Sequence, residues 1–240
     1  SLFAKVDRGD YEASLQTLSR AIHQAQADGQ VGEAAAEALP RAARLALVES
    51  YYQKLAQAGQ YEVAKKAFAL LSDAARDPAA KALAANRMDR LQRVGQPAPE
   101  IAGLDVDGQK VSLQGLKGDV VLVVFWTTWA VPSAAEVGRL EEIYEAHKAD
   151  GFRVLGINVD SLQAGGPDPS TTLSLVRRFL LDYNVPWPTL VNGPGNADYA
   201  GLYGVKEVPS DFLVNRDGKI IAVDLTGSAL EAAVTKALKP

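Results

Sequence analysis

Two hydrophobic periodicities divide this chain. Up to about residue 93 the large apolar side chains recur at steps of three and four. Leu15, Leu18 and Ile22 form one stripe, and Leu45, Val48, Tyr52 and Leu55 another. That spacing places side chains on one face of a helix. It predicts helices near residues 10–28, 32–58, 61–75 and 78–93. The first 95 residues hold 24 alanines and lack runs of β-branched residues, so this region reads as all helix. Gly9-Asp10-Tyr11-Glu12 returns as Gly59-Gln60-Tyr61-Glu62, each copy opening a helix, with Asp10 suited to an N-cap.

Val94-Gly95-Gln96-Pro97-Ala98-Pro99 closes the helical stretch, because each proline removes a backbone donor and drives the residue before it into extended geometry. We place the domain boundary there, giving an all-helical domain over residues 1–93 and a second domain over residues 94–240. Beyond the boundary the period changes. Residues 103–113 carry a hairpin signal at Asp107-Gly108, and Val120 to Trp126 is an unbroken apolar run suited to a strand buried on both faces. The pattern then predicts a helix over 133–149, a strand over 152–159, a helix over 171–183, a short strand over 189–191 and a short helix over 197–203. A hairpin of strands 211–214 and 219–224 follows, and a helix over 228–238 closes the chain. Strands alternating with helices indicate an α/β sheet covered on both faces.

Composition narrows the chemistry. The net charge is −4, from 25 basic and 29 acidic residues. Residues 1–96 hold 13 basic and 11 acidic side chains, and residues 97–240 hold 12 and 18, the reverse of a nucleic-acid footprint. The longest apolar run has seven residues, against the roughly 18 that a membrane span requires. His23 and His147 fall in different domains with no partner at ligand spacing, so no metal site is expected. The chain contains no cysteine. Thiolate nucleophiles, thiolate metal ligands and disulfides are therefore closed to it.

The most informative stretch is Phe125-Trp126-Thr127-Thr128-Trp129-Ala130-Val131-Pro132-Ser133-Ala134-Ala135-Glu136, where a buried strand gives way to a helix. It resembles the active-site segment of thioredoxin-like proteins, specifically the TlpA-like thiol–disulfide oxidoreductases (redoxins). Other segments agree: 94–101 is similar to the family's lead-in, 105–113 to its first hairpin, Tyr203-Gly204-Val205 with Val208-Pro209-Ser210 to its cis-proline region, and 215–220 to its final hairpin. The likeness covers about residues 94–240. It implies a thioredoxin-like fold, a central mixed sheet flanked by helices, here preceded by an all-α helical-hairpin domain. The second Gly-Gln-Tyr-Glu copy, running to Pro78, resembles the turn and second helix of a tetratricopeptide repeat. Such repeats recur every 34 residues, whereas these copies lie fifty apart, and a small helical bundle accounts for them as well.

In that family two cysteines flank a dipeptide at the helix start, and the matching positions here are Ala130 and Ser133. The chemistry needs a thiolate that attacks a disulfide and a second thiol that resolves the mixed disulfide. Neither residue substitutes for it: a serine hydroxyl requires a general base, and no histidine or lysine is near in sequence. Ser133 reads more economically as a helix-start cap. Glu136 matches an acid that relatives keep beside the thiols, and by itself reads as a solvated glutamate favouring the helix dipole. The resemblance makes Trp129, Val131, Pro132, Val208 and Pro209 a contact surface for an extended peptide, while Trp126 reads as core. Asp160 reads as a cap on a strand end, Asn192 to Asn196 as a turn and Gly165 to Pro169 as a surface loop.

The expected function is thus a redox-inactive thioredoxin-fold binding or scaffold module. Its protein or peptide client would meet the Trp129/Pro209 surface, with a second docking surface on the helical half. The alternative is a thiol–disulfide oxidoreductase whose cysteine pair has been replaced by Ala130 and Ser133. A third reading is a glutathione-dependent enzyme in which a hydroxyl holds the cofactor thiol. The first two call for no cofactor and none for nucleic acid, and the resemblance implies an exported, extracytoplasmic protein.

Overall fold

A computed structural model of the chain describes residues 1–27, 40–162, 168–193 and 196–239, leaving aside the side chains of residues 25–27, 131–136 and 169. The first part of the helix expected over 32–58, most of the loop at 165–169 and the centre of the 192–196 turn lie outside the described residues. The chain divides into two compact units, Ser1–Gln92 and Arg93–Pro240.

Every element among the described residues of the first unit is a helix: α1 (Leu2–Asp7), α2 (Tyr11–Ala27), α3 (Arg41–Gln57), α4 (Tyr61–Ala74) and α5 (Pro78–Arg93). The six-residue α1 escaped the sequence reading because its apolar pattern completes less than two turns. Both Gly-x-Tyr-Glu copies form the same joint. Gly9 and Gly59 adopt left-handed backbone geometry, with φ of 79° and 66°. Gly9 N–H donates to the Val6 carbonyl and Asp10 N–H to that of Lys5, just as Gly59 N–H donates to Ala56 and Gln60 N–H to Leu55. This pair of bonds satisfies carbonyls that a helix end otherwise leaves unpaired. The core gathers Leu15, Tyr52, Leu55, Phe68 and Leu91, with the Tyr52 and Phe68 rings edge to face at 5.5 Å.

The second unit holds a five-stranded sheet in the order β5-β4-β3-β6-β7, built from β3 (Val120–Trp126), β4 (Phe152–Asn158), β5 (Thr189–Val191), β6 (Ser210–Val214) and β7 (Ile220–Val223). A separate antiparallel hairpin pairs β1 (Ala102–Leu104) with β2 (Lys110–Ser112). In the large sheet β3 runs parallel to β4 and antiparallel to β6, so the longest apolar run of the sequence lies at the centre of a mixed sheet. Helices α6 (Val131–His147), α7 (Pro169–Asp182), α8 (Tyr199–Tyr203) and α9 (Gly227–Leu238) surround it.

Alternation along β3 separates two cores. Phe125 meets Tyr203 of α8 at 5.3 Å and Phe212 of β6 at 5.9 Å between ring centroids. On the other face Trp126 packs with Val176 and Phe179 of α7. The lead-in lies along the far edge: Gly95 N–H donates to the Ile220 carbonyl and Ile220 N–H to that of Gln96. The proline-rich stretch therefore borders the sheet rather than hanging free.

Candidate functional site

The site begins where β3 ends. The last paired residues of β3 and β6 are Phe125 and Ser210, so the chain leaving β3 through Trp126 and the chain entering β6 through Pro209 emerge side by side at one end of the sheet. The Val208–Pro209 peptide bond is cis.

Four residues past the end of the strand, Ala130 occupies the N-cap of α6, a 17-residue helix, and contributes no side-chain cap. The helix starts at Val131, two residues earlier than expected. Proline fits the first turn of a helix, whose N–H groups are unpaired in any case, and Pro132 moves the start upstream. Ser133 is therefore not the cap but the third helical residue, and Glu136 falls in the second turn. The side chains of Val131, Pro132, Ser133 and Glu136 lie outside the described residues. A thiolate at position 130 would sit against the unpaired N–H groups and positive end of the helix dipole, which favours the ionised form. Alanine leaves that field unused.

The turn between strand and helix is fixed by a residue the sequence reading gave only a local role. Asp160, just after β4, is 1% exposed. Its Oδ1 accepts from Thr128 N–H at 2.8 Å and its Oδ2 from the Thr128 hydroxyl at 2.7 Å. Asp160 N–H in turn donates to Asn158 Oδ1 at 3.2 Å, and Val159 N–H donates to the Trp126 carbonyl at 2.9 Å. The carboxylate thus ties the β4 end to the turn that carries Trp129. No sequence pattern marks a pair 32 residues apart.

Trp129 stands out from this anchored turn, 56% exposed, whereas Trp126 and Trp187 are 7% and 6% exposed. Trp126 is core, as expected. A cavity of about 390 Å³ opens beside Trp129, bounded by Thr127, Val159, Leu162, Val205, Lys206, Glu207 and Val208. Trp129 and Val208, placed together by resemblance, thus share one wall-lined space. Pro209 faces a different, smaller cavity of about 150 Å³ with Val124, Leu140 and Asp211 on its walls. Among the described residues no group of three or more His, Asp or Glu side chains could hold a metal ion.

A parallel β3-β4-β5 ladder joined to an antiparallel β6-β7 pair, with a helix N-terminus and a cis-proline at one end of the central strands, defines a thioredoxin-like domain of the TlpA-like kind. The profile of the AhpC/TSA family matches residues 94–223, more than half of the chain, and the protein belongs to that family. Among curated proteins, the thiol-disulfide oxidoreductase ResA of Bacillus thuringiensis (strain Al Hakam) is 28% identical over 129 residues, 54% of this chain and 68% of the relative. The thioredoxin-like protein YneN of Bacillus subtilis (strain 168) is 32% identical over 127 residues, covering 52% of this chain and 68% of its own. Among solved structures, the thioredoxin domain of a thiol-disulfide oxidoreductase from Bacteroides vulgatus superposes with a TM-score of 0.51 at 26% identity, covering 61% of this chain and 98% of that one. The helical unit lies outside the residues that the family profile matches.

Proposed function

We propose that residues 94–240 are a thiol–disulfide oxidoreductase domain in which Ala130 and Ser133 stand in the places of the cysteine pair, so that the chain as it is holds a polypeptide partner without exchanging electrons. The observation that carries this reading is position 130 at the uncapped N-terminus of α6, reached directly from the central strand and anchored through Thr128 and Asp160. The names of the relatives support the oxidoreductase frame. The missing cysteines govern what the frame does.

With cysteines at both positions the chemistry balances. The first thiolate attacks one sulfur of a substrate disulfide and expels the other as a thiolate. The second thiolate then attacks the sulfur of the mixed disulfide and releases the reduced substrate. Two electrons and two protons pass to the substrate, and the domain keeps the new disulfide.

The test is Ala130→Cys/Ser133→Cys in an insulin-reduction assay with dithiothreitol as electron source. The expected result is turnover well above the dithiothreitol background for the double variant and none for the parent. A double variant that folds but stays at background overturns the oxidoreductase frame and favours the second reading, a binding or scaffold module. The exposed Trp129 supports the surface common to both readings. Retention on immobilised glutathione would instead favour a glutathione-dependent enzyme. The resemblance to exported oxidoreductases supports work outside the cytoplasm. No helix among the described residues is long and apolar enough to cross a membrane.

A further inference from the structure

A central strand covered on both faces is expected to be sealed along its length. β3 is not. Six of its seven residues are buried, and Val124 is only half-buried. Its register partner on β6, Asp211, is half-buried as well, although Phe212, Leu213 and Val214 beyond it are buried. Both residues lie on the wall of the 150 Å³ cavity. This space is separate from the one beside Trp129. It lies on the sheet face that carries Trp126, enclosed by Leu140 and Ile143 of α6, Phe179 of α7 and Leu230 of α9.

We propose that this cavity is a binding site for one neutral aromatic molecule of about the size of benzene. The inference is independent of the reading above and goes beyond it. Volume selects the size. A cavity of about 150 Å³ with aliphatic and aromatic walls stays dry and admits benzene, whereas cofactors and drug-sized ligands occupy roughly 300–1,000 Å³. The walls select an aromatic ring. Trp126, Phe179 and Trp187 all line the space and offer a guest ring the offset or edge-to-face contacts that aromatic pairs prefer. Charge selects a neutral molecule. Among the described residues the walls carry one cation, Arg139, and one anion, Asp211. An ionic guest would gain one attraction, meet one repulsion and lose its hydration. Asp211 Oδ1 accepts from Leu225 N–H at 3.1 Å, and Arg139 reaches to 3.9 Å from where a Cβ on Gly227 would stand, at the start of α9. A carboxylate oxygen accepts more than one hydrogen bond, so a ring hydroxyl can also donate to Asp211, and phenol fits the site as benzene does.

The experiment mixes the whole chain with fluorobenzene and reads the width of the fluorine resonance. The parent protein is expected to broaden it, and benzene and phenol should reverse the broadening by competition. Benzoate and benzylammonium should need at least about tenfold higher concentration, because each must leave its hydration behind. Val124→Phe places a ring in the space itself. The broadening should disappear in this variant while the circular dichroism stays that of the parent. Leu140→Ala enlarges the space from the α6 side. It should lower the thermal midpoint and shift the preference from benzene toward the larger indole by about tenfold, and it decides alone if Val124→Phe does not fold. No broadening with the parent overturns the site, since the cavity then holds only water or is closed in solution. Broadening that is unchanged in the variants places the probe elsewhere and overturns it equally. Benzoate or benzylammonium competing as well as phenol overturns the neutral class of ligand. Each of these failures leaves the oxidoreductase frame standing, since that frame is judged by turnover of the double-cysteine variant.

Discussion

Asp160 and Thr128 are joined through both carboxylate oxygens, at 2.8 and 2.7 Å, and this pair of hydrogen bonds fixes the turn between the central strand and helix α6. Because Asp160 is buried, water cannot replace what a truncation removes. Asp160→Ala should lower the stability of the C-terminal unit by about 2–4 kcal/mol, the cost of leaving buried donors unpaired, and Thr128→Val by about 1–2 kcal/mol. Urea unfolding followed by tryptophan emission measures both. A loss under 0.5 kcal/mol for Asp160→Ala would show that the turn holds without the clamp.

Trp129 should behave in the opposite way. Its side chain is more than half exposed, so Trp129→Ala should change stability by no more than about 0.5 kcal/mol. Acrylamide quenching should lose its most accessible component in this variant, since Trp126 and Trp187 are buried. Client binding should weaken at the same time. A large drop in the unfolding midpoint would make Trp129 a structural residue.

Tyr203 links three parts of one core. Its ring packs against Phe125 and Phe212, and its hydroxyl donates to the Pro99 carbonyl at 2.7 Å. Tyr203→Phe keeps the rings and strands the carbonyl, so a loss of about 1–2 kcal/mol is expected. Burial, with the Glu100 carboxylate adding to it, holds the phenol well above its ordinary value of 10. A pKa raised on folding gives stability that is complete below the unfolded value and declines as pH rises past it. Ultraviolet titration should therefore show a tyrosine signal that appears only as the C-terminal unit unfolds, and that signal should shrink in Tyr203→Phe.

In the helical unit, Asp77 accepts from Arg41 Nε at 2.7 Å and from Ala79 N–H at 2.8 Å. These bonds, Arg41 first, bring its carboxyl from 3.8 down to about 2. A depressed pKa contributes stability that is present above the unfolded value and lost as pH falls from about 4 through about 2. Asp77→Asn should flatten the acid limb of the helical unit's thermal midpoint across that window. The effect should shrink in high salt, because the pair is solvent-exposed. An acid limb unchanged by the substitution would remove Asp77 as its source.

The sequence by itself determined the strand at Val120–Trp126 and the stop at Pro97 and Pro99. It also determined the joints at Gly9 and Gly59 and marked Trp129, Ala130, Ser133, Val208 and Pro209 as candidate site positions. These follow from local causes, an unbroken apolar run, a missing backbone donor, a left-handed turn, or the likeness of a short segment. Tertiary structure decided the rest. Ser133 lost its capping place because Pro132 fits the first turn, and Asp160 gained its role because the β3–β4 ladder carries Val159 to the Trp126 carbonyl. The cavity that joins Thr127, Leu162 and Val205 exists only once the ends of three strands, β3, β4 and β6, meet at one end of the sheet. Hydrogen bonds and cavities between residues 30 to 80 positions apart are products of strand register, and no local pattern records them.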